Sequence, residues 1–209
     1  MGTKVPLENV VIQFPHLFEP HRPKNTPDAP LAHGAQFLLP QDHKDSPVLL
    51  AALDSELKAK FPSGPPPSAQ SCLSWPDPRY TPEHMRQWYS VSARNDVNRN
   101  PLRRDRIIGP DMRPILTPGD VFSGCLVNVV LDVYGYATGK GGVTCSIDAI
   151  QLVDNTTVER LDGVPPQEDV NTLFRQQDPS RVAGNVPSIA GGGPSAPPMG
   201  AARPGPQPS

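Results

Sequence analysis

The chain has 209 residues, room for one ordinary domain with tails, and 29 of them are proline, against a usual share of about 5%. A net charge of −2 argues against a globally basic nucleic-acid binder, and a hydrophobic content of 36% limits the core to part of the chain. The three cysteines (Cys72, Cys125, Cys145) have no CxxC spacing, which argues against a zinc site or a disulfide framework, and no stretch approaches the roughly 20 apolar residues that span a bilayer. The opening MGTKVPLENV lacks the apolar run of a signal peptide, so a soluble, intracellular protein with no membrane partner is expected.

In chain order, residues 7–14 (LENVVIQF) read as a first strand stopped by Pro15. Residues 16–33 hold prolines 20, 23, 27 and 30 and read as a long loop, and residues 36–39 as a short strand ended by Pro40. Residues 47–61 (PVLLAALDSELKAKF) predict the one helix: Ser46 can cap it, Pro47 fits its first position, and Leu49, Leu50, Leu53 and Leu57 recur at helical spacing. Residues 87–94 (QWYSVSAR) alternate, with Trp88, Ser90, Ser92 and Arg94 on one face, and an arginine-rich loop follows. Residues 124–136 are the strongest strand. Cys125, Val127, Val129, Leu131 and Val133 share a face opposite Asn128, Asp132, Tyr134 and Tyr136. A glycine-rich turn over 137–142 predicts a hairpin, and residues 143–153 return as its partner. Ile150, Leu152 and Val153 break the alternation of that partner, as a bulge would.

These elements predict a mainly β fold: a small OB-like barrel over residues 1–155, with one helix and long loops. An acidic, partly ordered segment is expected over 156–186 and a disordered C-terminal tail over 187–209, where glycine and proline fill 12 of 23 positions. The helix comes earlier than the usual place between barrel strands three and four. Either a strand lies hidden in 16–33 or the topology is elaborated.

Catalytic motifs are weak. GYATGKG at 135–141 resembles a phosphate-binding loop, but its spacing is one residue short and no helix follows, so a plain hairpin turn is the better reading. Histidines 16, 21, 33, 43 and 84 lack a ligand spacing, and no GxSxG motif occurs, so neither an enzyme, a cofactor nor a metal is expected. Charge is unevenly spread. Residues 79–113 carry eight arginines and four acids, a balance of +4, whereas residues 154–178 carry six acids and two arginines, a balance of −4. A basic stripe with interleaved aromatics suits a nucleic-acid strand, which needs cations for phosphates and flat faces for bases. The candidate binding residues are Trp88, Arg94, Arg99, Arg103, Arg104, Arg106, Arg113, Tyr134, Tyr136 and Lys140. Trp88 fits a core position as well as a groove.

Taken in order, VVIQFPHLFEP (10–20), QFLLP (36–40), WYSVSAR (88–94), FSGCLVNVVLDVYGY (122–136) and SIDAIQLV (146–153) resemble the phage single-stranded-DNA-binding protein family. The resemblance covers about residues 5–155 and implies an OB barrel that protects single-stranded DNA during phage replication and recombination, without catalysis, in the cytoplasm of the bacterial host. It implies single-stranded DNA as partner, with phage replication proteins and further copies of the chain as additional candidates. It does not extend to the end of the chain, where a Gly/Pro tail stands in place of the family's acidic one. A structural or adaptor protein of a phage particle is the alternative reading.

Overall fold

The structure is a computed structural model that describes residues 2–22 and 29–163; the segment 164–186 and the tail expected over 187–209 lie outside the described residues. Eight strands and one α-helix occur among the described residues: β1 (Thr3–His21), β2 (Ala32–Leu39), α1 (Ser46–Lys60), β3 (Gln70–Ser71), β4 (Leu73–Ser74), β5 (Tyr89–Asp96), β6 (Ile107–Ile108), β7 (Leu126–Tyr136) and β8 (Gly142–Asp154). β1 runs antiparallel between β2 and β7, β2 pairs with β5, and β7 with β8. β5 then meets β8 in parallel, Ala93 opposite Cys145, and closes the sheet on itself. The cyclic order β1-β2-β5-β8-β7 is that of the OB barrel.

The interior follows from alternation. Val127, Val129, Leu131 and Val133 of β7 point inward, as do Val5, Leu7 and Ile12 of β1, Phe37 of β2 and Val91 of β5, all almost wholly buried. Helix α1 lies mainly against β7 and buries Leu49, Ala52 and Leu53. It sits between the second and third barrel strands, so the topology is elaborated, and among the described residues of 16–33 the only strands are β1 and β2.

Two expectations fail for identifiable reasons. β1 does not stop at Pro15 but continues to His21. Pro15 and Pro20 fall at two register breaks in the pairing with β2, Gln13 to His16 and His16 to His21, where a missing N–H leaves no ladder bond unmade. Nor does Ser46 cap the helix. The N-cap position is Asp45, which makes no side-chain cap bond, and the Ser46 hydroxyl donates to the Pro40 carbonyl at 3.0 Å. The expected bulge in β8 is present: Val130 pairs with Ala149 and Leu131 with Ile147, which leaves Asp148 as the extra residue.

The closing seam is short, and the chain reinforces it. β3 pairs with Gly142 and Val143, β4 with β5, and β6 with Ile150 and Gln151, so three short strands fill the edges that β5 and β8 leave open. Asn95, 1% exposed, acts as one more rung: its side-chain amide donates to the Ile147 carbonyl at 2.9 Å and its Oδ1 accepts from the Ile147 N–H at 2.8 Å. Gly142 permits the close approach of β3, since a Cβ there would lie 2.0 Å from the Gln70 carbonyl oxygen and its φ is +142°. All three cysteines are free and buried.

Candidate nucleic-acid interface

The barrel's outer wall carries the candidate site. Because β7 turns its valines inward, Tyr134 and Tyr136 project outward and are half-buried; burial pushes the Tyr134 phenol up. Tyr134 stands opposite Thr144 of β8, and the next strand beyond β8 presents Ser92 and Arg94. Arg94 lies opposite Gly34 of β2, and Gly34 opposite His16 of β1. The pleat thus places Tyr134, Thr144, Arg94, Gly34 and His16 on one continuous face that crosses all five barrel strands.

Two adjoining hollows make this face concave. One is lined by Phe14, His16, His21, Gly34, Gln36, Ser92 and Arg94. The other is lined by Gln70, Ser71, Ser92, Arg94, Tyr136 and Thr144. Arg94 and Ser92 belong to both, so the exposed guanidinium stands at the centre of a shallow groove. One Arg94 nitrogen donates to the Pro30 carbonyl, which holds the side chain across the wall.

The far end of the groove depends on the irregularity of β1. Phe14 has φ +50°, an uncommon conformation for a non-glycine residue, at the first register break, where its N–H donates to the Ser123 hydroxyl at 2.9 Å. The bend brings the rings of His16 and His21 into a stack with centroids 3.6 Å apart. Phe14 also meets Tyr80 edge to face at 5.5 Å, and the Arg79 guanidinium lies 5.3 Å from the Tyr80 ring centre. Burial, then the His21 charge, lowers the pKa of His16; burial, then Arg94, lowers that of His21.

The other sequence-predicted residues are dispersed. Trp88 is half-buried in a small apolar cluster with Val11, Leu38 and Met85, roughly 20 Å from Arg94 at the usual rise of a strand. Lys140 is exposed at the tip of the β7–β8 hairpin. Arg99, Arg103, Arg104, Arg106 and Arg113 are exposed on the loop that leaves β5 and returns beside β8. Arg103 is tied to Asp105 and Arg113 to Asp111, each two residues away, whereas Arg99, Arg104 and Arg106 face no carboxylate among the described residues. Sequence reasoning passed over Phe14, His16, His21, Tyr80 and Trp75, the last 60% exposed and stacked on Tyr89. The adjacency of Arg79 and Tyr80 was the available signal for one of them; the others required the path of β1 and β4.

No group of three or more His, Cys, Asp or Glu side chains that could hold a metal ion occurs among the described residues, and no helix among them is long and apolar enough to cross a membrane.

Fold and site together define an OB-barrel protein with an arginine-centred groove flanked by aromatic rings. The model of the family described as Enterobacter phage Enc34, ssDNA-binding protein, matches residues 3–170. The chain belongs to that family. Among solved structures, the chain is similar to the single-stranded DNA-binding protein from bacteriophage Enc34 in complex with ssDNA, at 15% identity and TM-score 0.59, covering 74% of this chain and 88% of that one. It is also similar to gp2.5, a single-stranded DNA-binding protein encoded by bacteriophage T7, at 9% identity and TM-score 0.53, covering 81% of this chain and 98% of that one. At these identities the likeness establishes the fold. No curated protein matches the chain.

Proposed function

We propose that the chain binds single-stranded DNA along the outer wall of its barrel, without catalysing a reaction on it, during phage DNA replication and recombination in the cytoplasm of the infected cell. Family membership supports the ligand class. The position of Arg94 carries the placement: one guanidinium lines both hollows, with Tyr136 in one and Phe14 and two imidazoles in the other. A strand lying along this wall would set a phosphate on Arg94 and stack bases on the rings to either side. Stacking contributes about 1–3 kcal/mol per base and is indifferent to sequence, because every base has a π-face. The OB barrel's second and third strands form its usual ligand face, and here these are β2 and β5. Arg99, Arg104 and Arg106, free of carboxylates among the described residues, extend the positive field beyond the wall, and Lys140 does the same from the hairpin tip. Arg103 and Arg113 contribute less, since each shares its charge with an aspartate.

The test is a titration of labelled oligo-dT and of a duplex of equal length at several salt concentrations, with the strands inspected for cleavage in Mg²⁺. Tighter binding of the single strand, weakening as salt rises, supports the reading. Equal affinity for the duplex overturns it, and cleavage of the strand overturns its non-catalytic part.

A further inference from the structure

The stacked pair His16 and His21 lies outside the buried core: His21 is exposed, His16 is half-buried, and both line the hollow that ends on Arg94. Two imidazoles at 3.6 Å beside a guanidinium form a site where positive charge is crowded. We propose that this pair is a proton-dependent phosphate site of the groove, so that single-stranded DNA binds with uptake of protons onto His16 and His21. The inference rests on the reading of the groove as the DNA site.

The physical argument is one of linkage. In the free protein burial disfavours a proton on either ring, and the neighbouring charges add to it, His21 for His16 and Arg94 for His21; a hydrogen bond to the Ala32 backbone offsets this at His21 only in part. The imidazoles are therefore mostly neutral at neutral pH. The other titratable groups on the segments packed there are Glu19 of β1, Arg22 just beyond its end, His33 of β2 and Asp96 of β5. The Asp96 carboxylate accepts from the N–H of Asn98 at 2.8 Å, which commits it to the turn after β5. A phosphate entering beside Arg94 reverses the local balance, because a negative charge within a few ångströms favours imidazolium. The pKa of the pair is then higher in the complex than in the free protein. The sign follows: affinity is lowest above the pKa of the complex, rises as pH falls through it, and levels off below the lowered pKa of the free pair. Within that window the affinity changes about tenfold per pH unit for each proton taken up. Neutral imidazoles still offer flat faces to a base, so binding persists above the window but is weaker.

The experiment measures oligo-dT affinity by fluorescence anisotropy from about pH 5 to pH 8 at constant ionic strength, for the full chain and for H16Q, H21Q and H21K, with melting temperatures to confirm folding. The expected result is affinity that rises at least tenfold as pH falls, a reduced rise in H16Q and H21Q, and in H21K, whose fixed charge replaces one of the two protons, tighter binding at pH 8 with a reduced rise below it. Calorimetry of the wild-type chain in two buffers of different ionisation enthalpy should show net proton uptake. Flat affinity across the range, or an undiminished rise in the folded glutamine variants, overturns the inference while leaving the DNA reading intact. Absence of oligo-dT binding at every pH overturns both.

Discussion

The barrel wall and the loop that leaves it carry the same kinds of residue to different effect. On the wall, a single arginine is held by a backbone carbonyl and bordered by tyrosine, phenylalanine and histidine rings. On the loop, five arginines are exposed, two of them tied to aspartates two positions away, and no aromatic ring is interleaved with them. Charge density alone favours the loop as the binding surface. Geometry favours the wall, because a single strand needs cations and flat faces at matched spacing, which a rigid pleat supplies and a loop of exposed side chains does not.

The comparison is broken most severely if the wall itself does not depend on its seam. Replacing Asn95 with Ala removes two buried hydrogen bonds and leaves the N–H and carbonyl of Ile147 without partners. A loss of about 3 kcal/mol is expected, since each buried group left unsatisfied costs about 1–3 kcal/mol. Urea unfolding reads this directly, and an unchanged midpoint would show that β5 and β8 close without that rung. Trp88→Ala should cost about 1–3 kcal/mol of stability, below the range for a fully buried tryptophan, and little DNA affinity. The reverse pattern, with intact folding and weak binding, would move the groove toward Met85 and Leu38.

Tyr134→Ala and Tyr136→Ala sharpen the comparison on the wall. Each should weaken oligo-dT binding by about 1–3 kcal/mol while shifting stability little, because both rings lie outside the valine stripe. The smallest effects belong to the loop. Arg104→Ala should lower the salt dependence of binding modestly, and Arg103→Ala less, because Asp105 already neutralises that guanidinium. If Arg103→Ala instead costs more affinity than Tyr136→Ala, the loop and not the wall is the principal surface.

Much of the barrel was legible in the chain. The valine alternation of β7, the glycine turn and the broken period in β8 specify a bulged hairpin, and the outward placement of Tyr134 and Tyr136 follows from which face the valines occupy. The path of β1 beyond Phe14 was hidden because Pro15 reads as a strand end. It becomes a register break only once β2 is seen alongside, and with it goes the placement of Phe14, His16 and His21 in the groove. Closure was hidden for a related reason. One residue pair, three two-residue strands and an asparagine side chain make the seam, and none of these has a periodic signature. The alternation of Arg94 with Ser92 and Ser90 put it on one strand face as a candidate from the sequence. Its position at the meeting of two hollows is a consequence of closure and could be found only with it.

The central claim, that the wall and Arg94 in particular hold the strand, is tested most directly by the salt dependence of oligo-dT affinity in the wild-type chain and in Arg94→Ala. Loss of one phosphate contact should flatten the slope of log affinity against log salt by about 0.7, the single-strand value, with the melting temperature preserved. A slope that stays the same in the folded variant would contradict the account and place the phosphates elsewhere on the molecule.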